Sequence, residues 1–378
     1  MTTGDVTVRV YGISDVGRAR EHNEDAFAVA DLATGAPVDF PTERIERPGN
    51  RGAVFMVADG MGGAASGELA SSMAVDVILQ ELHARWLTAG GDPAAFAGAL
   101  HAATEIANDR IHRYATDHPE NRGMGTTATV AGLLGDELYI AQVGDSRAYL
   151  IRGGEARQIT KDQSLMQRLI EAGEMTAEEA EVSERRNIIL QALGPEPIIK
   201  IDITRQQLRR GDILVLCSDG LSGQVRNSEI SEAARESPDL ATLCHQLIDR
   251  ANDSGGPDNI TVVAAQFDGD GLAPPAPDDA VGHQAFPVDG EDTPIALPRV
   301  SLGDAQDGFS DGAGRPPTSA RSVTSAPRRI STNDRLRALA SLSPPPDASP
   351  TRWIGPLVAA ALGIAAVLAA LLFRHHYR

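Results

Sequence analysis

Val54-Phe55-Met56-Val57-Ala58-Asp59-Gly60-Met61-Gly62-Gly63 reads as a buried strand that stops on an Asp-Gly step. A short apolar run bounded by glycines is the pattern of a strand inside a core. Ile213-Leu214-Val215-Leu216-Cys217-Ser218-Asp219-Gly220 repeats it. Ile140-Ala141-Gln142-Val143-Gly144-Asp145-Ser146-Arg147 places a third aspartate after an apolar strand, and Gly256-Pro257-Asp258-Asn259-Ile260-Thr261-Val262 places a fourth just before one. A single Asp-Gly pair is ordinarily a turn. Four aspartates in these settings can converge where the strands end. Gathered carboxylates repel one another, and the partner that suits them is a hard divalent cation such as Mg²⁺ or Mn²⁺, which takes oxygen ligands. Glycine directly after the aspartate lets the backbone come close, so the Gly60 carbonyl can also face a metal.

Outward from these strands, apolar runs predict strands at 6–13, 26–31, 53–58, 127–134, 137–143, 147–152, 198–204, 212–217 and 260–267. Helical spacing marks 66–88 and 93–116, through Leu69, Met73, Val77 and Ile78 and through Phe96, Leu100, Ile106 and Ile111. Helices also fit 162–172 and 227–252. Strands in hairpin-like clusters with helix pairs between them predict a layered α+β fold, two antiparallel sheets covered by helices.

The chain has 378 residues, enough for one large domain with appendages. Its net charge of -18 argues against a nucleic-acid partner, since nothing would offset repulsion from phosphate backbones. Two cysteines, Cys217 and Cys244, fit a reducing compartment and read as core residues. The N-terminus carries neither a basic segment nor an apolar run, so no secretory signal is expected.

Periodic patterning stops near Phe267, and 13 prolines lie between Pro274 and Pro350. That composition cannot bury enough surface to order itself, which predicts a disordered linker over 269–352 after a catalytic domain at 5–268. The linker is acidic in its front half and basic in its rear half. Residues 353–373 carry no charge and are long enough to span a bilayer core of about 30 Å as a helix. A short basic tail, 374–378, follows. Seven arginines against two aspartates between Gly312 and Arg352 favour a cytoplasmic linker side. The expectation is a single-pass protein of the plasma or inner membrane with its catalytic domain in the cytosol.

Arg18-Ala19-Arg20-Glu21-His22-Asn23-Glu24-Asp25-Ala26-Phe27 precedes the second strand. The guanidinium of Arg20 suits a phosphate. Taken alone, it reads more readily as a surface ion pair. With Ser14-Asp15-Val16-Gly17, Asp59 to Gly63, Gly125-Thr126-Thr127, Gly144 to Arg147, Ser218-Asp219-Gly220 and Gly256 to Asn259, in that order, the chain resembles the metal-dependent protein phosphatases of type 2C. The likeness covers roughly 6–267 and is closest to the compact bacterial Ser/Thr enzymes.

The resemblance implies a four-layer α-β-β-α sandwich and hydrolysis of phosphoserine and phosphothreonine by a water bridging two Mn²⁺ or Mg²⁺ ions, in opposition to Ser/Thr kinases or acting on their phosphoprotein substrates. It implies that Asp59 bridges both ions and that Asp219 and Asp258 complete one. Glu24 and the Gly60 carbonyl would serve the other, Asp25 would support them, Arg20 would hold the substrate phosphate, and Asp145 with Asp219 would take a third, weaker ion. Met61 stands where some relatives have a histidine taken as general acid, and Asp162-Gln163-Ser164 stands where Asp-His-Ser is commoner. Residues 173–187 correspond to the flap beside the site. A pseudophosphatase would lack a ligand, and none is missing; a two-metal phosphodiesterase or nuclease fits the acidic charge poorly.

Overall fold

The computed structural model describes residues 5–38, 44–46, 48–88, 91–181 and 183–288. Its strands are β1 (Thr7–Asp15), β2 (Asp25–Asp31), β3 (Arg44–Glu46), β4 (Ala53–Met61), β5 (Gly125–Thr126), β6 (Ala128–Leu134), β7 (Glu137–Val143), β8 (Arg147–Arg152), β9 (Glu155–Gln158), β10 (Asp202–Gln207), β11 (Ile213–Cys217) and β12 (Ile260–Asp268). The helices are α1 (Ala64–Thr88), α2 (Pro93–Asp117), α3 (Leu165–Glu171), α4 (Ala177–Glu181), α5 (Asp219–Ser222), α6 (Asn227–Glu236) and α7 (Leu240–Asp253).

One sheet runs β3-β1-β12-β11-β8-β9 and the other β10-β7-β6-β4-β2, with β5 added to the end of β4. Neighbouring strands are antiparallel throughout. The strands read as continuous apolar runs because both faces are buried. In β11, Leu214 and Leu216 point between the sheets, whereas Val215 and Cys217 point toward α5–α7. In β12, Val263, Ala265 and Phe267 take the inner face and Val262 and Ala264 the helix face. On the far sheet α1 and α2 form the cover, with Trp86 of α1 edge-on to Phe96 of α2 and Phe96 edge-on to Tyr139 of β7. The layer order is therefore helices, sheet, sheet, helices, as predicted.

Local chemistry sets the helix starts. Asp92 caps α2 by accepting from Ala95 N–H, with Pro93 at the first helical position, and Ser164 and Asp239 cap α3 and α7 in the same way. The expected helix over 227–252 is two helices, because Ser237-Pro238 ends one and Asp239 begins the next.

Two expectations need correction. The strand expected at 198–204 begins only at Asp202, because side chains hold the backbone before it: Asn108 donates to the carbonyls of Glu196 and Pro197, and Gln163 to that of Lys200. The linker expected from 269 does not begin there. Leu272 is fully buried, Val281 packs on the inter-sheet core, and Phe286 lies edge-on to Tyr139. The segment runs along β10, with Arg205 N–H donating to Gln284 O and Phe286 N–H to Ile203 O. Arg209 pairs with Asp279 at 2.6 Å and His283 with Asp202 at 2.6 Å. Proline-rich composition hid a strap whose few apolar residues each find a place on an otherwise open sheet edge. The remainder of the linker, the span 353–373 and the tail 374–378 lie outside the described residues. Among the described residues no helix is long and apolar enough to cross a membrane.

Candidate active site

The site is built where β4 and β2 end side by side. Their antiparallel register puts Asp25 directly opposite Asp59, an arrangement in which side chains stand about 5 Å apart and like charges destabilise the pair. Asp59 is held by its backbone: its N–H donates to Thr127 Oγ1 (2.9 Å), and its carbonyl accepts from Thr127 N–H and Thr126 Oγ1 (both 2.9 Å). Asp25 is held by its side chain, whose Oδ2 accepts from Ser218 Oγ (2.8 Å) and Thr261 Oγ1 (2.7 Å). Thr261 also bonds Ser14 Oγ at 2.7 Å, and Asn23 donates to Ser14 Oγ at 2.8 Å.

β11 delivers Asp219 to the same place, near enough for its charge to raise the Asp59 carboxyl. Asp258 arrives on the loop before β12, and Asp145 on the turn after β7, where it is 6% exposed. Glu24 is buried against α1: Gly60 N–H and Ser71 Oγ both donate to its carbonyl (3.2 and 2.6 Å). Two glycines make that approach feasible. A Cβ on Gly60 would lie 2.2 Å from the Gly67 carbonyl oxygen, and one on Gly67 would lie 1.8 Å from Glu24 Oε2.

Asn259 has the most extensive role that the sequence did not assign. Its amide donates to the carbonyls of Val16 (3.0 Å) and His22 (2.9 Å) and accepts from Glu24 N–H (2.8 Å), so it pins the loop bearing Arg20 and Glu24 to the loop bearing Asp258. Gly17 fits the same junction; its φ is +77°, and a Cβ there would meet the Asp258 carbonyl oxygen at 2.1 Å. Only the pairing of loops about 240 residues apart in sequence gives Asn259 this function, and no local pattern carries it.

Burial and mutual repulsion act together on the carboxyls. Burial first, then Asp219 and Asp258, push Asp25 up to about 7 despite its two hydroxyl donors. Asp145 rises to about 8 through burial, then Asp219 and Asp162. Asp59 is raised well above the usual range by burial, then by Asp25, Asp219, Asp145 and Asp258. Glu24 is raised by burial, which outweighs Arg20. Asp25 Oδ1 and Asp145 Oδ1 are buried with no hydrogen-bond partner. Oxygens left orphaned among mutually repelling carboxyls fit a hard divalent cation, which supplies the missing charge. As they stand, no three such side chains among the described residues close on one centre.

Arg20 makes its contact here with a carboxylate. It donates to Asp258 Oδ2 at 2.8 Å, the surface ion pair that the sequence left open. Its side chain is half exposed, and exposed pairs are worth at most about 1 kcal/mol, so exchange for another anion costs little. Met61 ends β4 opposite Gly125 and carries no proton to give. Residues 173–187, which the resemblance gives as the flap, include α4, whose Ala180 joins Leu165 and Met166 of α3 in a small apolar core packed by Leu169, Ile170, Met175 and Leu190.

A layered sandwich of this topology with buried carboxyls gathered at its strand ends is a scaffold suited to hydrolysis assisted by a divalent cation. Residues 45–260 match the family model described as Protein phosphatase 2C, and the chain belongs to that family. It is 39% identical over 304 residues to the serine/threonine protein phosphatase PstP of Mycobacterium tuberculosis, covering 79% of this chain and 52% of that protein. The chain thus spans about half the length of that relative. It is 36% identical over 255 residues to protein phosphatase PhpP of Streptococcus pneumoniae, covering 66% of this chain and 94% of PhpP. The crystal structure of the PstP catalytic domain in complex with two manganese ions superposes with a TM-score of 0.56 at 35% identity, over 70% of this chain and 99% of that one.

Proposed function

We propose that the chain is a divalent-metal-dependent protein phosphatase that hydrolyses phosphoserine and phosphothreonine in proteins, Ser/Thr kinases or their substrates among them. The observation that carries this reading is the opposed pair Asp25 and Asp59, joined by Asp219, Asp258 and Asp145 with two orphaned carboxylate oxygens. Asp59, Asp219 and Asp258 would hold one ion and Asp59, Glu24 and the Gly60 carbonyl another, with Asp145 and Asp219 at a third. When bound, Mn²⁺ or Mg²⁺ supplies an acidified water as nucleophile and positive charge against the phosphoryl oxygens.

The chain's own residues do the rest. Asp25, fixed by Ser218 and Thr261, stands behind Asp59 and would carry its negative charge there once the ions are bound. Asn259 presents Arg20 and Glu24 at the mouth, where Arg20 leaves Asp258 for the substrate phosphate. With Met61 in place, the proton for the departing seryl or threonyl oxygen comes from water in the cleft.

In this reading the domain is tethered by the segment 353–373 to the plasma or inner membrane and faces the cytosol, which the arginine-rich stretch before that segment supports. Purified full-length protein should release phosphate from a phosphothreonine peptide with Mn²⁺ or Mg²⁺ and stop with EDTA. Metal-independent turnover, or faster turnover of bis-p-nitrophenyl phosphate than of the peptide, would overturn the assignment.

A further inference from the structure

Gln163 is where the sequence departs from the Asp-His-Ser pattern, and it joins three parts of the site. Its backbone N–H donates to Gly144 O (2.9 Å), while its side-chain Oε1 accepts from Gly144 N–H (3.0 Å), so both polar groups of Gly144 are held by one residue. Its Nε2 donates to Gln142 O (3.3 Å) and Lys200 O (3.1 Å). Its carbonyl accepts from Leu190 N–H at 2.7 Å, closing the root of the α3–α4 excursion, where Leu165 N–H also reaches Ile188 O.

The turn that it grips has little freedom. Gly144 has φ +99°, and a Cβ there would meet Thr127 Cγ2 at 2.6 Å. The next residue is Asp145, whose Oδ1 is buried and unpartnered. Around it stand the carboxyls of Asp219 and Asp162 and the guanidinium of Arg147, which Asp162 clasps with both oxygens. A neutral imidazole offers one donor and one acceptor, whereas the glutamine amide offers an acceptor oxygen and two N–H groups, and all of these are engaged here.

We propose that Gln163 is a positioning residue that fixes the Gly144–Asp145 turn to the root of the α3–α4 excursion, so that divalent-cation binding at Asp145 and the order of residues 164–190 are coupled. The proposal rests on the phosphatase reading only for the ligand's identity as a divalent cation.

The test is calorimetric titration of Mn²⁺ into the full-length protein, with hydrogen exchange of residues 164–190 followed in parallel. Asp145→Asn should abolish the weakest binding step. Gln163→Ala and Gln163→Glu should weaken that same step about tenfold and leave the tighter steps within about twofold, the scale expected for a group that orients a ligand. In the Asp145→Asn background Gln163→Ala should change nothing further, and Mn²⁺ should slow exchange at 164–190 in the wild type but not in Gln163→Ala. An unchanged weak step, or a uniform weakening of every step accompanied by a lower Tm, would overturn the coupling. If the wild type hydrolyses phosphopeptide while Gln163 variants titrate like it, the coupling fails and the phosphatase reading stands. If it shows the coupling without hydrolysing phosphopeptide, the reverse holds.

Discussion

At the scale of single residues, the carboxyls at the strand ends oppose the fold that holds them. Asp59→Asn removes one charge from a repelling group, so activity should fall by at least about a hundredfold while the EDTA-treated protein melts no lower than wild type. A large drop in Tm without metal would contradict this. Burial, together with that repulsion, fixes a pH dependence. Asp25 at about 7 and Asp145 at about 8 keep their protons in the fold at pH values where the unfolded chain, titrating near about 3.9, has lost them. The native state then binds more protons, so the contribution of these two carboxyls to the stability of metal-stripped protein is full below about pH 4, falls as pH rises and is lost above 7 to 8. Denaturation in EDTA at pH 5 and pH 8 should show the loss, and saturating Mn²⁺ should flatten it. Gly67→Ala tests the close packing around Glu24, since its methyl would sit on Glu24 Oε2; Mn²⁺ affinity should fall more than tenfold, the order seen when a ligand's support is disturbed, with the helix itself unharmed because alanine favours it.

At the scale of elements, the strap over 269–288 belongs to the catalytic domain. Leu272 and Phe286 bury apolar surface, and Asp279 is held at about 2 by the hydrogen bond from Arg209 and the Ala276 N–H. A chain ending at 268 should therefore melt several degrees below one ending at 288, since losing two such side chains costs about 2–4 kcal/mol. Equal melting temperatures would place the domain boundary back at 268. The strap was illegible in sequence because its prolines and acidic residues look like linker, and only the open edge of β10 gives its alternate residues a partner. The strand expected at 198–204 fails for the converse reason: its apolar run has the pattern of a ladder, but side chains occupy its backbone carbonyls before Asp202.

At the scale of the whole molecule, one acidic sandwich carries a basic stretch and an uncharged segment beyond it. If 353–373 is the tether, full-length protein should sediment with membranes, and deletion of 353–378 should release it with phosphopeptide turnover intact. Recovery of both forms in the soluble fraction would remove the tether.

The sequence by itself determined the layers and the carboxylate set. Strands buried on both faces must be apolar, and aspartate at the end of such a strand stands out against them. It determined the family too, through the order of those motifs. What only the tertiary structure decided are the relations between them: Asp25 facing Asp59 across a register, Asn259 stapling two loops, Gly67 admitting Glu24, Gln163 gripping Gly144, and a strap closing β10. Each is a contact between segments far apart in the chain, fixed by shape and hydrogen-bond geometry that no local window of residues encodes.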